Sequence, residues 1–136
     1  MSNYQAIATI TAALGDIVHK AAENALSSTV TLHFDRPTAP TSASERKVHV
    51  YLYQVTPNAA LRNNDLPNRD STGRLVRRPQ AALNLHYLLS FYGDQSTLEP
   101  DRMLGAVVRD LHSQPELSAQ DISNAIGSRY VGRVRI

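Results

Sequence analysis

Five histidines are the residues with the most obvious chemical reach in this 136-residue chain. Three of them, His33, His49 and His86, fall within runs that alternate apolar and polar residues, each on the less apolar side. If the three runs are neighbouring strands, the imidazoles converge, and three histidines with a water make a catalytic zinc arrangement. Neither an HExxH motif nor any other paired-ligand spacing accompanies them, so the expectation is structural histidines with no metal and no cofactor. His19 and His112, near the ends of helical segments, read as surface or cap residues. Serine, histidine and aspartate are all present, but no GxSxG elbow presents a nucleophile. The chain has no cysteine, which excludes a thiol nucleophile, a thiolate zinc site and a disulfide framework. Gly93–Asp94 leads into no glycine-rich loop, so no phosphate cradle is expected. The close acid pair Glu99/Asp101 suits the positive end of a helix dipole. The residues do not point to an enzyme.

The cations say more. Of fourteen, only Lys20 and Lys47 are lysines. Five arginines (Arg62, Arg69, Arg74, Arg77, Arg78) crowd residues 57–80 against Asp65 and Asp70, and Arg129, Arg133 and Arg135 occupy the last eight residues with no acid. Arginine suits a planar, two-pronged match to carboxylate or phosphate, so these stretches read as docking surfaces. With a formal net charge of only +2 and no nucleic-acid motif, an acidic protein surface is the expected partner, and nucleic acid is the alternative.

Something must position these groups. Residues 3–26 carry Ile7, Ile10, Leu14, Ile17, Val18, Ala21, Ala25 and Leu26 at helical steps, with Ser2 and Gln5 at capping-box spacing. Gly15 weakens its middle and suggests close approach of another backbone. Three period-two runs follow: Thr29–Phe34, Lys47–Val55 and Ala81–Tyr92. On the third, the odd-numbered set from Ala81 to Phe91 is wholly apolar and reads as the buried face. The opposite faces put His49, Tyr51 and Tyr53 beside His86, Leu88 and Tyr92, a surface too amphipathic for plain solvent. Tyrosine is enriched at interfaces, so this face reads either as a contact surface or as one covered by the last helix. Pro37–Ser44 reads as a mobile Pro/Ser/Thr loop. Pro57–Pro79 is a long insert between the second and third strands, and such loops are commonly functional. Glu99–His112 is a second helix with Pro100 in its first turn and Met103, Leu104, Val107, Val108 and Leu111 as its apolar stripe. Ser118–Ile126 is a third helix, with Ser118 and Asp121 at capping spacing; Arg129–Ile136 alternates like a final strand.

The expected fold is therefore α+β: a small, mostly antiparallel or mixed sheet of three to four strands flanked by helices, in one domain over residues 1–136. An apolar fraction of 42% rules out a disordered chain, and no apolar run is long enough to span a bilayer, so no membrane association is expected.

Several segments together carry a resemblance: MSNYQAIATITAAL at the start, YQVTPNAALRN at Tyr53–Asn63, DLP at Asp65–Pro67, RPQAALNLHYLLSFYGD at Arg78–Asp94 and LEPDRMLGAVVRDLH at Leu98–His112. The chain resembles the N-terminal domain of the tail-terminator, or cap, proteins of extracellular contractile injection systems of the antifeeding-prophage and virulence-cassette type. The resemblance implies a phage tail-terminator-like fold and a structural role. Such caps form a homo-oligomeric, hexameric ring on the last layer of the inner tube protein, and the last layer of sheath protein docks on that ring. The particle is assembled in the bacterial cytoplasm and the cap sits at its distal end; another phage-tail completion role is the runner-up. On this reading the insert makes the inter-subunit or tube and sheath contacts. Arg62, Arg69, Arg77 and Arg78 supply ion pairs, Asn58, Asn63 and Asn64 hold the loop, and Leu61 and Leu66 anchor it. His49, Tyr51, Tyr53, His86 and Tyr92 form a second contact face, and Arg129, Arg133 and Arg135 a C-terminal arm.

Overall fold

The computed structural model describes residues 4–60, 71–74 and 82–126. Helix α1 spans Ala6–Leu26 and strand β1 Thr31–His33; β2 (Lys47–Pro57) and β3 (Leu83–Tyr92) follow. A single 3-10 turn at Gln95–Thr97 leads into helix α2 (Glu99–Ser113), and helix α3 spans Ala119–Ile126. The final strand expected at Arg129–Ile136 lies outside the described residues.

The strands form one sheet in the order β1-β2-β3. β1 and β2 are parallel, with Thr31, Leu32 and His33 opposite Lys47, Val48 and His49. Between β2 and β3, Asn58 bonds back to Ala82 while His49 meets Tyr92, so numbers rise along one strand as they fall along the other. The sheet is thus mixed, in an α+β fold. The chain clusters into two compact units, one made of residues up to Tyr51 with those from Leu88, the other of Leu52–Tyr87.

In the first unit, Val18 and Ala22 of α1, Val30, Val48 and Val50, and Met103 and Val107 of α2 are at most 1% exposed. α1 packs against α2, α3 and β1. Its Gly15 has a different reason from the one expected. The ring of Phe34, not a backbone, lies over it, and a Cβ there would come within 2.5 Å of Phe34 Cε1. α1 begins at Ala6 with Gln5 as its N-cap and no side-chain cap bond; the expected Ser2 cap lies outside the described residues. The turn into β1 is tied down by His19, whose Nε2–H donates to the Val30 carbonyl at 2.6 Å, and by Glu23, which accepts from the Val30 amide.

Two expected faces were mistaken. On α2, Leu104 and Val108 are exposed and Ala106 is buried in their place. On β3, no residue is fully buried: Leu83 of its apolar odd set is exposed and Leu85, Tyr87, Leu89 and Phe91 are half-buried, so that set is not a fully buried core face. Both errors share a cause: periodicity fixes which residues share a face, but the burial of that face depends on its neighbours. α3 starts as its spacing predicts. The Ser118 amide and hydroxyl donate to Asp121 Oδ2, and the Asp121 amide donates to Ser118 Oγ. These bonds hold the Asp121 carboxyl below its usual range, the backbone amide of Ser118 contributing most.

Candidate functional site

The amphipathic sheet face is organised around His49, which is 1% exposed. The β1–β2 register sets His33 beside it, and the two imidazoles stack at 4.8 Å between centroids. Tyr92 of β3 meets His49 edge-on at 5.9 Å. The His49 Nδ1–H donates to the Asp35 carbonyl at 3.2 Å and lies 3.3 Å from the Asp35 carboxylate, which also stands 4.0 Å from His33 Nδ1. Lys47, on the same side of β2, is 4% exposed; its ammonium sits 5.1 Å over the Tyr92 ring and donates to Thr38 Oγ1 and the Ala39 carbonyl.

What covers this face is the crossover from β1 to β2, not α3, which packs on α1 through Ala12, Ala13, Leu117 and Ala125. The crossover includes the Pro37–Ser44 stretch, expected to be mobile. It is instead held by the Lys47 bonds and by Glu45, which accepts from the Thr41 amide and hydroxyl. The Thr41 amide is the main reason that the Glu45 carboxyl lies below its usual range. The physical reason is the parallel β1–β2 pairing: the chain must travel back the length of the strand, and here it does so across the sheet face without a helix.

His33 and His49 share the first unit, where their rings stack. His86 belongs to the second unit, where Thr56 hydrogen-bonds its Nε2 at 3.1 Å and Tyr53 lies 6.1 Å from its ring. Among the described residues no group of three or more ligand-type side chains is placed to hold a metal. Odd-numbered Lys47 and His49 meet even-numbered Tyr92, whereas even-numbered Thr56 and Asn58 meet even-numbered His86 and Asn84. Within the first unit His49 meets Tyr92, and within the second Tyr53 and Thr56 meet His86. Tyr51 is half-buried and Tyr53 is 55% exposed.

At the start of the insert, Asn58 Nδ2 donates to Asn84 Oδ1, and its Oδ1 accepts from the Ala60 amide, closing an Asx turn. Ser71–Arg74 are exposed, with Gly73 at φ +84°. Leu61, Arg62, Asn63, Asn64, Leu66, Arg69, Arg77 and Arg78, and the arm residues Arg129, Arg133 and Arg135, lie outside the described residues.

Three positions escaped sequence reasoning. Asp35 follows His33 by two residues, a spacing that puts its carboxylate within reach of both imidazoles. Lys47 shares the parity of His49, yet a lysine at a strand start reads as solvent-facing. Glu99 does more than face a dipole. It is buried, accepts from the Asp94 amide at 2.8 Å and pairs with Arg46 Nε at 2.9 Å, tying α2 to the start of β2.

None of the curated proteins matches the chain. Among solved structures it is similar to the sheath/tube terminator of an extracellular contractile injection system, PVC, solved in its extended state by cryo-EM. The likeness has a TM-score of 0.50 at 19% identity and covers 88% of this chain, which spans about half (51%) of that terminator's length. At such identity the likeness carries the fold; kinship is carried by the sequence, since residues 9–136 match the Pvc16 N-terminal domain, and the chain belongs to that family.

Proposed function

We propose that this chain ends the tube and anchors the last sheath layer of a contractile, phage-tail-like injection particle. The observation that carries the reading is the family match over residues 9–136, and the fold likeness to a sheath/tube terminator supports it. The mechanism is docking rather than a chemical step. A tube grows because each ring offers the next a copy of the surface it docked on. A terminator matches that surface on one side and offers no copy of it on the other. As a hexameric ring it seats on the last inner-tube layer, receives the last sheath layer, and after assembly in the bacterial cytoplasm sits at the distal end of the released particle. The insert at 57–79 is the docking element, its arginines meeting carboxylates of tube or sheath. The exposure of Tyr53 and Val55 and of Ser71–Arg74 supports an outward-facing role for this region.

The test is particle length in the producing bacterium. With the chain deleted, particles should lose their defined length; unchanged dimensions overturn the terminator role. An Arg77→Glu/Arg78→Glu variant should fold and fail to cap. Particles of normal length from that variant refute the insert as the docking element.

A further inference from the structure

α2 has apolar residues on two sides. Met103, Ala106 and Val107 are buried, whereas Leu104 and Val108, one turn apart, are 47% and 57% exposed. Gly105 lies between them in the helix interior, and a Cβ there would meet nothing within 4 Å. An interior glycine costs a helix about 1 kcal/mol relative to alanine. No contact with a described residue explains that cost, in contrast to Gly15 under the Phe34 ring. Asp101 and Arg109, both exposed, stand one turn before and one turn after Gly105, about 12 Å apart along the axis. Asp101 forms no ion pair with any described residue. Among the described residues Arg109 pairs only with its neighbour Asp110, at 3.0 Å and with its own side chain 71% exposed, a pair of little strength.

The geometry points to a two-fold contact in which α2 of a second copy crosses this one antiparallel at Gly105. The missing side chain lets the helix axes approach, and Leu104 and Val108 of each copy flank the crossing. Because Asp101 and Arg109 lie at equal and opposite distances from Gly105, the antiparallel arrangement sets each Asp101 against the other copy's Arg109. The pattern is self-complementary, as an isologous contact requires, and it sets opposed helix dipoles side by side. A two-fold pair is closed, unlike the head-to-tail contacts of a ring, so the inference stands apart from the terminator reading. It gives undocked copies a self-limiting way to cover an apolar helix face. One helix crossing buries less than the 1,200–2,000 Å² of a typical stable interface, so the association is weak and concentration-dependent.

The experiment is sedimentation velocity on the full chain from about 10 μM to about 1 mM. The wild type should pass from monomer to dimer across that range. Asp101→Arg and Arg109→Asp should each weaken association about tenfold by setting like charges together, and the double swap should restore it. Gly105→Leu, which has room in the monomer, should weaken association without lowering its melting temperature. A wild type still monomeric at the highest concentration overturns the contact, as does a dimer indifferent to the swaps. A ring that forms normally in swapped variants whose dimer is weakened supports a contact separate from the ring, and leaves the terminator reading standing. A particle-length result against the terminator reading leaves the dimer measurement untouched.

Discussion

The same substitution, glycine to alanine in a helix interior, should have opposite signs at two positions. At Gly105 the new methyl meets nothing within 4 Å, so the variant gains helix propensity alone, about 1 kcal/mol. At Gly15 the gain is the same, but the methyl would lie 2.5 and 2.6 Å from Phe34 Cε1 and Cζ. Carbon atoms rest about 3.5–4.0 Å apart, so the ring must retreat by about 1 Å. Overpacking of this kind costs about 1–3 kcal/mol. The net for Gly15→Ala is a loss of about 0–2 kcal/mol, centred near 1. For a chain of this size a change of 1 kcal/mol moves the melting temperature by about 3–5 °C. Thermal melts at low micromolar concentration, where self-association is negligible, should show Gly105→Ala rising and Gly15→Ala falling. Phe34→Leu removes the offending ring, so in that background Gly15→Ala should turn neutral or stabilising. A Gly15→Ala variant that melts as high as Gly105→Ala would show that the ring does not dictate the glycine.

Two further predictions concern the groups that pin α2 and α3. Glu99→Gln keeps an acceptor for the Asp94 amide but removes the charge paired with Arg46; because Arg46 is 39% exposed, the loss should be about 1–3 kcal/mol in urea unfolding, below that of a fully buried pair. Asp94 and Asp121 both have carboxyls held below their usual range, Asp94 chiefly by the Ser96 hydroxyl and Asp121 chiefly by the Ser118 amide. A carboxyl whose pKa is lower folded than unfolded stabilises the fold fully above the ordinary aspartate value of about 3.9, and that contribution disappears as pH falls through the lowered value. Melting temperature should therefore drop on acidification below about pH 4, and less steeply in Asp121→Asn than in the wild type. Parallel curves for the two would show that the α3 cap is not what titrates.

The order of elements was written in the sequence, because it rests on local physics. Alternation marked β2 and β3, Pro100 with Glu99 marked the start of α2, and the reciprocal Ser118/Asp121 spacing marked the start of α3, each requiring only residues a turn or a strand apart. Family membership was legible for a related reason: it is spread over nearly the whole chain and does not hang on one motif. Burial was not legible, because it belongs to pairs of elements. Leu104 and Val108 have the same helical spacing as core residues, and only the placement of α1 against the other side of α2 leaves them outside. His49, Lys47 and Tyr92 became a cluster because β1 pairs parallel to β2, which sends the crossover over their face and encloses an imidazole and an ammonium that pattern alone assigns to solvent.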